Sequence, residues 1–142
     1  MTTVQQILSI KGHQVHAIDP DCTVFDALTK MAKENIGSLV VIENGKVVGI
    51  LTERQYAREI VLKGRTSPTT AVREIMAQNV IAAQPDQTVE DCMAVMSECR
   101  IRHLPVVVHD DLVGIVSIGD LVKSVISEQK FAIDELVRYI RS

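Results

Sequence analysis

The residues with the clearest chemical potential lie near the end of the chain, in the segment Gly114-Ile115-Val116-Ser117-Ile118-Gly119-Asp120. A carboxylate such as Asp120 can accept hydrogen bonds from both vicinal hydroxyls of a ribose, and charge-assisted bonds are stronger than neutral ones. Ser117 adds a hydroxyl, and Gly119 lets the backbone approach a ligand closely. The segment predicts the start of a helix, whose N–H groups and dipole favour a nearby anion. These residue types therefore suit a phosphorylated sugar.

The same residues also fit a purely structural role. Ser117-x-x-Asp120 resembles a capping box, in which two side chains satisfy N–H groups at a helix start. Thr52-Glu53-Arg54-Gln55, 65 residues earlier, has the same form with an amide in place of the acid. We expect Ser117 and Thr52 to cap helices, and capping does not exclude contact with a ligand.

The two segments belong to an internal repeat. With an offset of 65 positions, residues 18–50 and 83–115 share 12 identities in 33 gap-free positions. Chance would give roughly two, judged from average residue usage. The identities begin with Pro20, Asp21, Thr23, Val24, Asp26 and Met31 and continue with Ile36, Leu39, Val41, Val48, Gly49 and Ile50. The chain therefore carries a duplicated unit.

Each copy predicts the order β-α-β-β-α. A short strand, at 15–18 or 80–83, leads into a helix that Thr23 or Thr88 caps. A hairpin follows, turning at Asn44-Gly45 in the first copy and at Asp110-Asp111 in the second. Helices are expected at about 53–62 and 118–126, a helical turn at 72–76, and an amphipathic helix in the tail, from Phe131 to Ile140.

Composition narrows the function classes. The net charge of −3 gives no general attraction to nucleic acid. Three cysteines without a CxxC argue against a disulfide framework or a zinc site. No signal peptide or membrane-spanning run is evident. We therefore expect a cytoplasmic protein without nucleic-acid or membrane partners and without a bound metal.

Two such units, each closing on Gly-h-h-Thr/Ser-x-x-Asp/Gln, resemble a pair of cystathionine-β-synthase (CBS) domains of the small stand-alone bacterial type. Ile101-Arg102-His103-Leu104-Pro105-Val106-Val107 resembles the family signature before the second hairpin. The resemblance implies an α/β (α+β) fold with two repeats related by pseudo-two-fold symmetry. The expected divisions are an N-terminal segment 1–12, CBS repeat 1 at 13–63, a linker 64–77, CBS repeat 2 at 78–127 and a C-terminal helix 128–142.

The resemblance also implies a homodimer and an adenine nucleotide, such as AMP, ADP, ATP or NAD, in the cleft between repeats. The expected ligand residues are Ser117, Gly119 and Asp120 around the ribose, Arg102, His103 and the weaker candidate Lys11 near phosphate, and the backbone of Ile81 and Ala82 at the adenine edge. Thr52, Arg54 and Gln55 form the second-site counterpart. Since Gln55 is neutral, that site is expected to be weaker, empty or tuned to another ligand. Arg54 is either solvated or directed at a phosphate.

Three function classes follow. The favoured one is a non-catalytic regulatory sensor, involved in energy sensing, that binds an adenine nucleotide and signals to an effector protein. The alternative is a structural or protein-interaction module with a vestigial ligand site. A third is an enzyme using Cys92, Cys99 or His103, although buried core thiols are the simpler expectation for both cysteines.

Overall fold

The order of helices and strands follows the predicted duplication. The computed structural model describes residues 1–141, and within them six α-helices and five strands can be assigned. The helices are α1 (Val4–Lys11), α2 (Val24–Glu34), α3 (Glu53–Tyr56), α4 (Val72–Ile75), α5 (Val89–Cys99) and α6 (Ile118–Arg141). The strands are β1 (Ala17–Ile18), β2 (Ser38–Glu43), β3 (Lys46–Thr52), β4 (His103–Val108) and β5 (Asp111–Ser117).

The described residues group into two compact units. The first-repeat unit comprises residues 14–81 with 108–112, and the second-repeat unit comprises residues 1–13, 82–107 and 113 onward. The N-terminal segment therefore groups with repeat 2, whereas the predicted linker groups with repeat 1. None of the described helices combines the length and the apolarity needed to cross a bilayer.

The first-repeat unit is built on a three-stranded sheet in the order β1-β2-β3. β1 pairs parallel to β2, and β2 pairs antiparallel to β3 with an irregularity between Val41 and Ile42. Asn44 and Gly45 both have positive φ, as the predicted two-residue turn requires. α2 covers the sheet with Val24, Ala27 and Met31. These side chains and the buried residues of β2 and β3 enclose one apolar core.

The second-repeat unit repeats this plan with two differences. Residues 80–83 form no strand, and only Ala83 makes a single parallel bridge to Val106. The β4–β5 turn lies at His109-Asp110, both with positive φ, one residue before the predicted position. His and Asp adopt this left-handed conformation more readily than most residues, so the turn forms here without the glycine that the first repeat has at Gly45.

Helix starts are set by side-chain caps. The Thr23 hydroxyl accepts from the Asp26 N–H at 3.1 Å, and Thr88 and Asp91 form a reciprocal capping box. Both predicted caps are therefore confirmed. α3 differs from the prediction, because its regular turn ends at Tyr56 and a wider π-type turn continues from Ala57 to Val61.

Each unit is completed by a short helix from another part of the chain. In the second-repeat unit, the Val4 N–H at the start of α1 donates to the Gln87 carbonyl at 2.8 Å. In the first-repeat unit, the Val72 N–H at the start of α4 donates to the Cys22 carbonyl at 2.8 Å. Cys22 and Gln87 are equivalent in the repeat, so α1 serves repeat 2 as α4 serves repeat 1.

The close packing of these helices explains the two repeated glycines. A Cβ on Gly114 would lie 2.7 Å from Leu8 Cδ2, and a Cβ on Gly49 would lie 2.5 Å from Met76 Sδ. Both distances are shorter than real Cβ contacts allow. A glycine at each position therefore lets the helix side chain reach the strand.

α6 is one continuous helix rather than the two that the sequence predicts. It runs for 24 residues, with Leu121 buried and Val125 packed against the core of the second-repeat unit. Beyond that region its apolar side chains are exposed, including Ile133 at 60% and Ile140 at 73%.

Candidate functional site

The candidate site is built on the start of α6. The Ser117 N–H donates to Asp120 Oδ2 at 2.8 Å, and the Asp120 N–H donates to Ser117 Oγ at 3.2 Å. The two residues therefore form the reciprocal cap that the sequence predicts, and the cap fixes the carboxylate at the helix start. Gly119 lies between them, and a Cβ there would make only an ordinary 3.6 Å contact with Ser117 Oγ. The fold itself does not require glycine at 119.

Lys11 contacts the same carboxylate. Its Nζ lies 2.6 Å from Asp120 Oδ2 and 2.8 Å from the Ile115 carbonyl oxygen. The Asp120 side chain is 19% exposed. Burial by itself raises the pKa of Asp120, but hydrogen bonds from Lys11 and Ser117 outweigh it and hold the pKa below its ordinary value. Asp120 is therefore an anion at neutral pH.

His103 and Arg102 lie next to this pair. His103 begins β4 and is half-buried, and the carbonyl of Arg102 accepts the Ile118 N–H of α6 at 2.9 Å. Burial lowers the pKa of His103, the charges of Lys11 and Arg102 lower it further, and Asp120 opposes them. The imidazole is therefore neutral at pH 7 and can donate or accept a hydrogen bond.

The structure places seven of the predicted ligand residues in the second-repeat unit. Six of them lie together: Lys11, Ser117 and Asp120 are directly bonded, and Gly119, Arg102 and His103 are adjacent through the backbone or through charge. The seventh is Ala82. The Arg102 side chain is exposed and forms no ion pair within residues 1–141.

Ile81 and Ala82 are the two residues predicted to read an adenine edge by their backbone. Both are exposed and lie just before Ala83, which is bonded to Pro105 and Val107 of β4. In the described part of the chain, no backbone hydrogen bond involves the N–H or C=O of Ile81 or Ala82. Their polar groups are therefore available to another molecule. Ile81 groups with the first-repeat unit and Ala82 with the second.

The counterpart in the first-repeat unit is weaker. Thr52 Oγ1 accepts the Gln55 N–H at 3.1 Å, which confirms Thr52 as a cap. The reciprocal bond from the Thr52 N–H to the Gln55 side chain is missing from the described hydrogen bonds. Arg54 is exposed and forms no ion pair with any described residue. This site therefore presents a cation and a neutral amide, without a fixed carboxylate.

Sequence reasoning missed the Lys11–Asp120 ion pair. Lys11 was expected only near a phosphate, because the 65-residue repeat does not include the N-terminal segment. A second offset carries the signal: Val4 and Ile7 of α1 match Val72 and Ile75 of α4 at 68 residues. That match predicts that α1 packs beside β5, which brings Lys11 to the start of α6.

Candidate metal ligands and cysteines give less support to a functional site than Asp120 does. Within the described residues no group of three or more His, Cys, Asp or Glu side chains is arranged to hold a metal ion. Cys92 is buried as expected, and burial together with Asp91 raises the pKa of its thiol, which disfavours the reactive thiolate. Cys99 is exposed at the end of α5, so the expectation of a buried thiol there is wrong.

A recess of about 600 Å³ lies between α2 and α3 of the first-repeat unit. It is open to solvent, and none of the predicted ligand residues lines it. Its walls carry one charged side chain, Glu53, among mainly apolar groups. The carboxylate chemistry at Asp120 is therefore a better guide to a binding site than this recess.

Comparison with known proteins defines the class of protein. Residues 7–62 and 72–127 each match the family model of the CBS domain. The chain therefore belongs to the CBS domain family and carries two copies of the domain in tandem.

Individual relatives agree with this assignment. The chain is 36% identical to the CBS domain-containing protein CBSX3, mitochondrial, of Arabidopsis thaliana, over 99% of this chain and 72% of that one. It is 34% identical to the CBS domain-containing protein YhcV of Bacillus subtilis, over 82% of each. A solved CBS-domain protein from Burkholderia ambifaria MC40-6 is 46% identical with a TM-score of 0.86, over 90% of this chain and 96% of that one.

CBS domains also occur inside enzymes. The inosine-5'-monophosphate dehydrogenase of Methanocaldococcus jannaschii is 32% identical over 77% of this chain, but the alignment covers only 21% of that enzyme. The similarity therefore concerns a minor part of the enzyme. YhcV and the Burkholderia protein, by contrast, are matched over most of their length.

Proposed function

We propose that this chain is a non-catalytic sensor module that binds an adenosine-containing nucleotide, such as AMP, ADP, ATP or NAD, at the start of α6. The observation that carries the proposal is the Asp120 carboxylate, which is ionised, mostly buried and fixed by a cap to Ser117. A fixed anion at this place can hold a ribose through its two neighbouring hydroxyls. The family resemblance implies the same class of ligand.

The charges around Asp120 support a phosphorylated ligand. Lys11 places a cation beside the carboxylate, Arg102 adds a second cation close enough to act on His103, and the N–H groups at the start of α6 add a partial positive charge. Lys and Arg both bind phosphate, Lys as a point charge and Arg through its planar fork. The neutral His103 can add a hydrogen bond without adding charge.

The free backbone groups at Ile81 and Ala82 support an adenine base. An adenine edge offers both donors and acceptors, and exposed backbone N–H and C=O groups complement them. The apolar side chain of Ile81, which is 38% exposed, offers surface for a flat ring. We assign the base to the backbone of Ala82 and the ribose to Asp120, which belong to the same unit.

A sensor needs two states with different affinities for the ligand, because a ligand shifts an equilibrium only by that difference. We propose that the output is passed to an effector protein. The Burkholderia relative is described, provisionally, as a signal-transduction protein. That description agrees with a regulatory role.

Calorimetry with AMP, ATP and NAD tests the ligand assignment. We expect Asp120→Asn to bind its preferred nucleotide about 10- to 100-fold more weakly than wild type, the range for hydrogen bonds to a charged group. Asp91→Asn is a matched control, since Asp91 caps α5 of the same unit in the same way. It removes an equivalent cap without touching the proposed site.

The control variant should bind nucleotide as wild type does. Equal affinities for wild type and Asp120→Asn would reject the role of Asp120. If no nucleotide binds or stabilises wild type even at millimolar concentration, the alternative of a structural or interaction module is supported instead.

One observation favours an interaction role in addition to sensing. On α6 the exposed apolar residues recur at spacings of three and four, with Gln129 as the single polar position in the series: Val122, Ile126, Ile133, Leu136 and Ile140. This spacing is typical of a helix that pairs with another helix. A matched CBS-CP12 structure from cyanobacteria, 28% identical with a TM-score of 0.76, is hexameric.

We propose that the chain forms a homodimer through this face of α6. Light scattering should give about twice the 15.7 kDa chain mass, and Ile133→Glu should shift the mass toward that of one chain. Lys123→Glu, on the same helix but outside the apolar series, is the control. A mass of one chain for wild type would contradict the dimer.

A further inference from the structure

Asp120 already has an internal partner at the position a ligand would use. Its Oδ2 accepts two hydrogen bonds, one from the Ser117 N–H at 2.8 Å and one from Lys11 Nζ at 2.6 Å. A carboxylate oxygen offers about two acceptor positions, so Oδ2 is filled. No hydrogen bond to Oδ1 is found within the described residues. A vicinal diol that spans both oxygens must therefore displace one donor from Oδ2.

Of the two donors, only Lys11 can leave without disturbing the fold. The Ser117 N–H is part of the backbone at the junction of β5 and α6. Lys11 ends α1, and its ammonium is carried on a flexible four-carbon stem. The helix itself is held independently, because Leu8 is buried against Gly114 and the Gly12 N–H donates to the Leu8 carbonyl at 2.7 Å.

We infer that Lys11 is an internal competitor for Asp120, displaced by the ribose of an incoming nucleotide and then available to its phosphate. The inference rests on the function proposed above and specifies which ligands the site prefers. A nucleoside must break the ion pair and offers the lysine no anion in return. A nucleotide breaks the same pair but supplies a phosphate, so the site selects phosphorylated nucleosides.

The first-repeat unit lacks both members of the pair. Gln55 occupies the place of Asp120 in the 65-residue repeat, and Asn79 occupies the place of Lys11 at the 68-residue offset that aligns α1 with α4. The acid and its competing lysine therefore occur together in one unit and are both replaced by amides in the other. The joint presence of Lys11 and Asp120 in one unit, and their joint absence from the other, is expected if the two residues function together.

Calorimetry with adenosine and AMP on four proteins tests the inference. The proteins are wild type, Lys11→Met, Lys11→Arg and the control Lys63→Met, which removes an exposed lysine paired with Glu59 in the first-repeat unit. We expect Lys11→Met to bind adenosine about two- to fivefold more tightly, since the competitor is gone, within the range of partly exposed ion pairs. AMP should gain nothing or bind more weakly, so the preference for AMP over adenosine should shrink by about two- to fivefold or more.

Lys11→Arg should retain most of the wild-type preference, and Lys63→Met should match wild type. The inference is overturned if Lys11→Met leaves both affinities unchanged or weakens both to the same extent. If wild type binds neither ligand, the proposed function is wrong, and the inference that rests on it is rejected as well.

A measurement without ligand separates these two failures. Carbon NMR of the Asp120 carboxyl group should show a higher pKa in Lys11→Met than in wild type, because the nearby cation has been removed. An unchanged pKa would show that the ion pair does not form in solution. That result would overturn the inference whatever the outcome for nucleotide binding.

Discussion

Asp120 both caps a helix and forms an ion pair. It caps α6 through the Ser117 N–H, and its carboxylate faces Lys11 at 2.6 Å. In the first repeat Gln55 fills the equivalent position, but its side chain leaves the Thr52 N–H without the reciprocal bond. The difference between the two repeats at this position is therefore both structural and electrostatic, since the second repeat has a fixed carboxylate where the first has a neutral amide.

The half-buried His103 predicts a measurable pH dependence of stability. Burial and the cations Lys11 and Arg102 keep its pKa below about 6.5, the value expected in an unfolded chain. Between the folded-state pKa and that value, the unfolded chain binds more protons than the native protein. The free energy of unfolding therefore falls as the pH is lowered below about 6.5.

Chemical denaturation at several pH values between 7.5 and 5 measures this effect. We expect His103→Gln to lose stability less steeply than wild type as the pH falls. His109→Asn, which changes an exposed turn histidine, should keep the wild-type slope. Identical slopes for wild type and His103→Gln would show that His103 titrates alike in both states.

At the level of elements, the junction of α1 with β5 supports the site. Leu8 is fully buried against Gly114, and Lys11 lies one turn further along the same helix. The position of the lysine therefore depends on close packing between a helix and a strand. The equivalent junction of α4 with β3 has Met76 against Gly49.

Gly114→Ala tests this junction. The added methyl group would lie 2.7 Å from Leu8 Cδ2, so the buried Leu8 side chain, the helix or the strand must shift. Overpacking of this kind typically costs about 1–3 kcal/mol of stability. The loss is measurable by urea denaturation, and we expect weaker nucleotide binding as well, since Lys11 moves with α1.

Gly37→Ala provides the comparison. Its new Cβ would make only an ordinary 3.6 Å contact with Glu53 Oε1, so it should change stability little. A Gly114→Ala protein as stable as wild type would show that α1 does not pack closely on β5 in solution.

Elements with strong local signals were predictable from the sequence. Thr23, Thr88, Thr52 and Ser117 all cap helices as expected, because a hydroxyl at a helix start satisfies an N–H group wherever the helix packs. The Asn44-Gly45 turn was also predictable, because both residues tolerate the positive φ that a two-residue hairpin turn requires. Residues 80–83 look like a strand by composition, but only Ala83 makes a bridge, because strand formation depends on neighbours that the local sequence does not specify.

At the level of the whole molecule, the duplication was predictable and the assignment of α1 was not. The 65-residue repeat defines two CBS domains, and the family match at 7–62 and 72–127 confirms them. The N-terminal helix belongs with the second repeat, across about 70 residues of intervening sequence. The 65-residue repeat does not include α1, so the Lys11–Asp120 pair is missed unless the weaker 68-residue match of α1 with α4 is also read.

A crystal structure of the protein grown with excess AMP tests the central claim most directly. We predict that both ribose hydroxyls lie within hydrogen-bonding distance of the Asp120 carboxylate and that Lys11 has moved from Asp120 to the phosphate. AMP bound elsewhere, or a site at α6 filled only by solvent with the Lys11–Asp120 pair intact, would contradict the account.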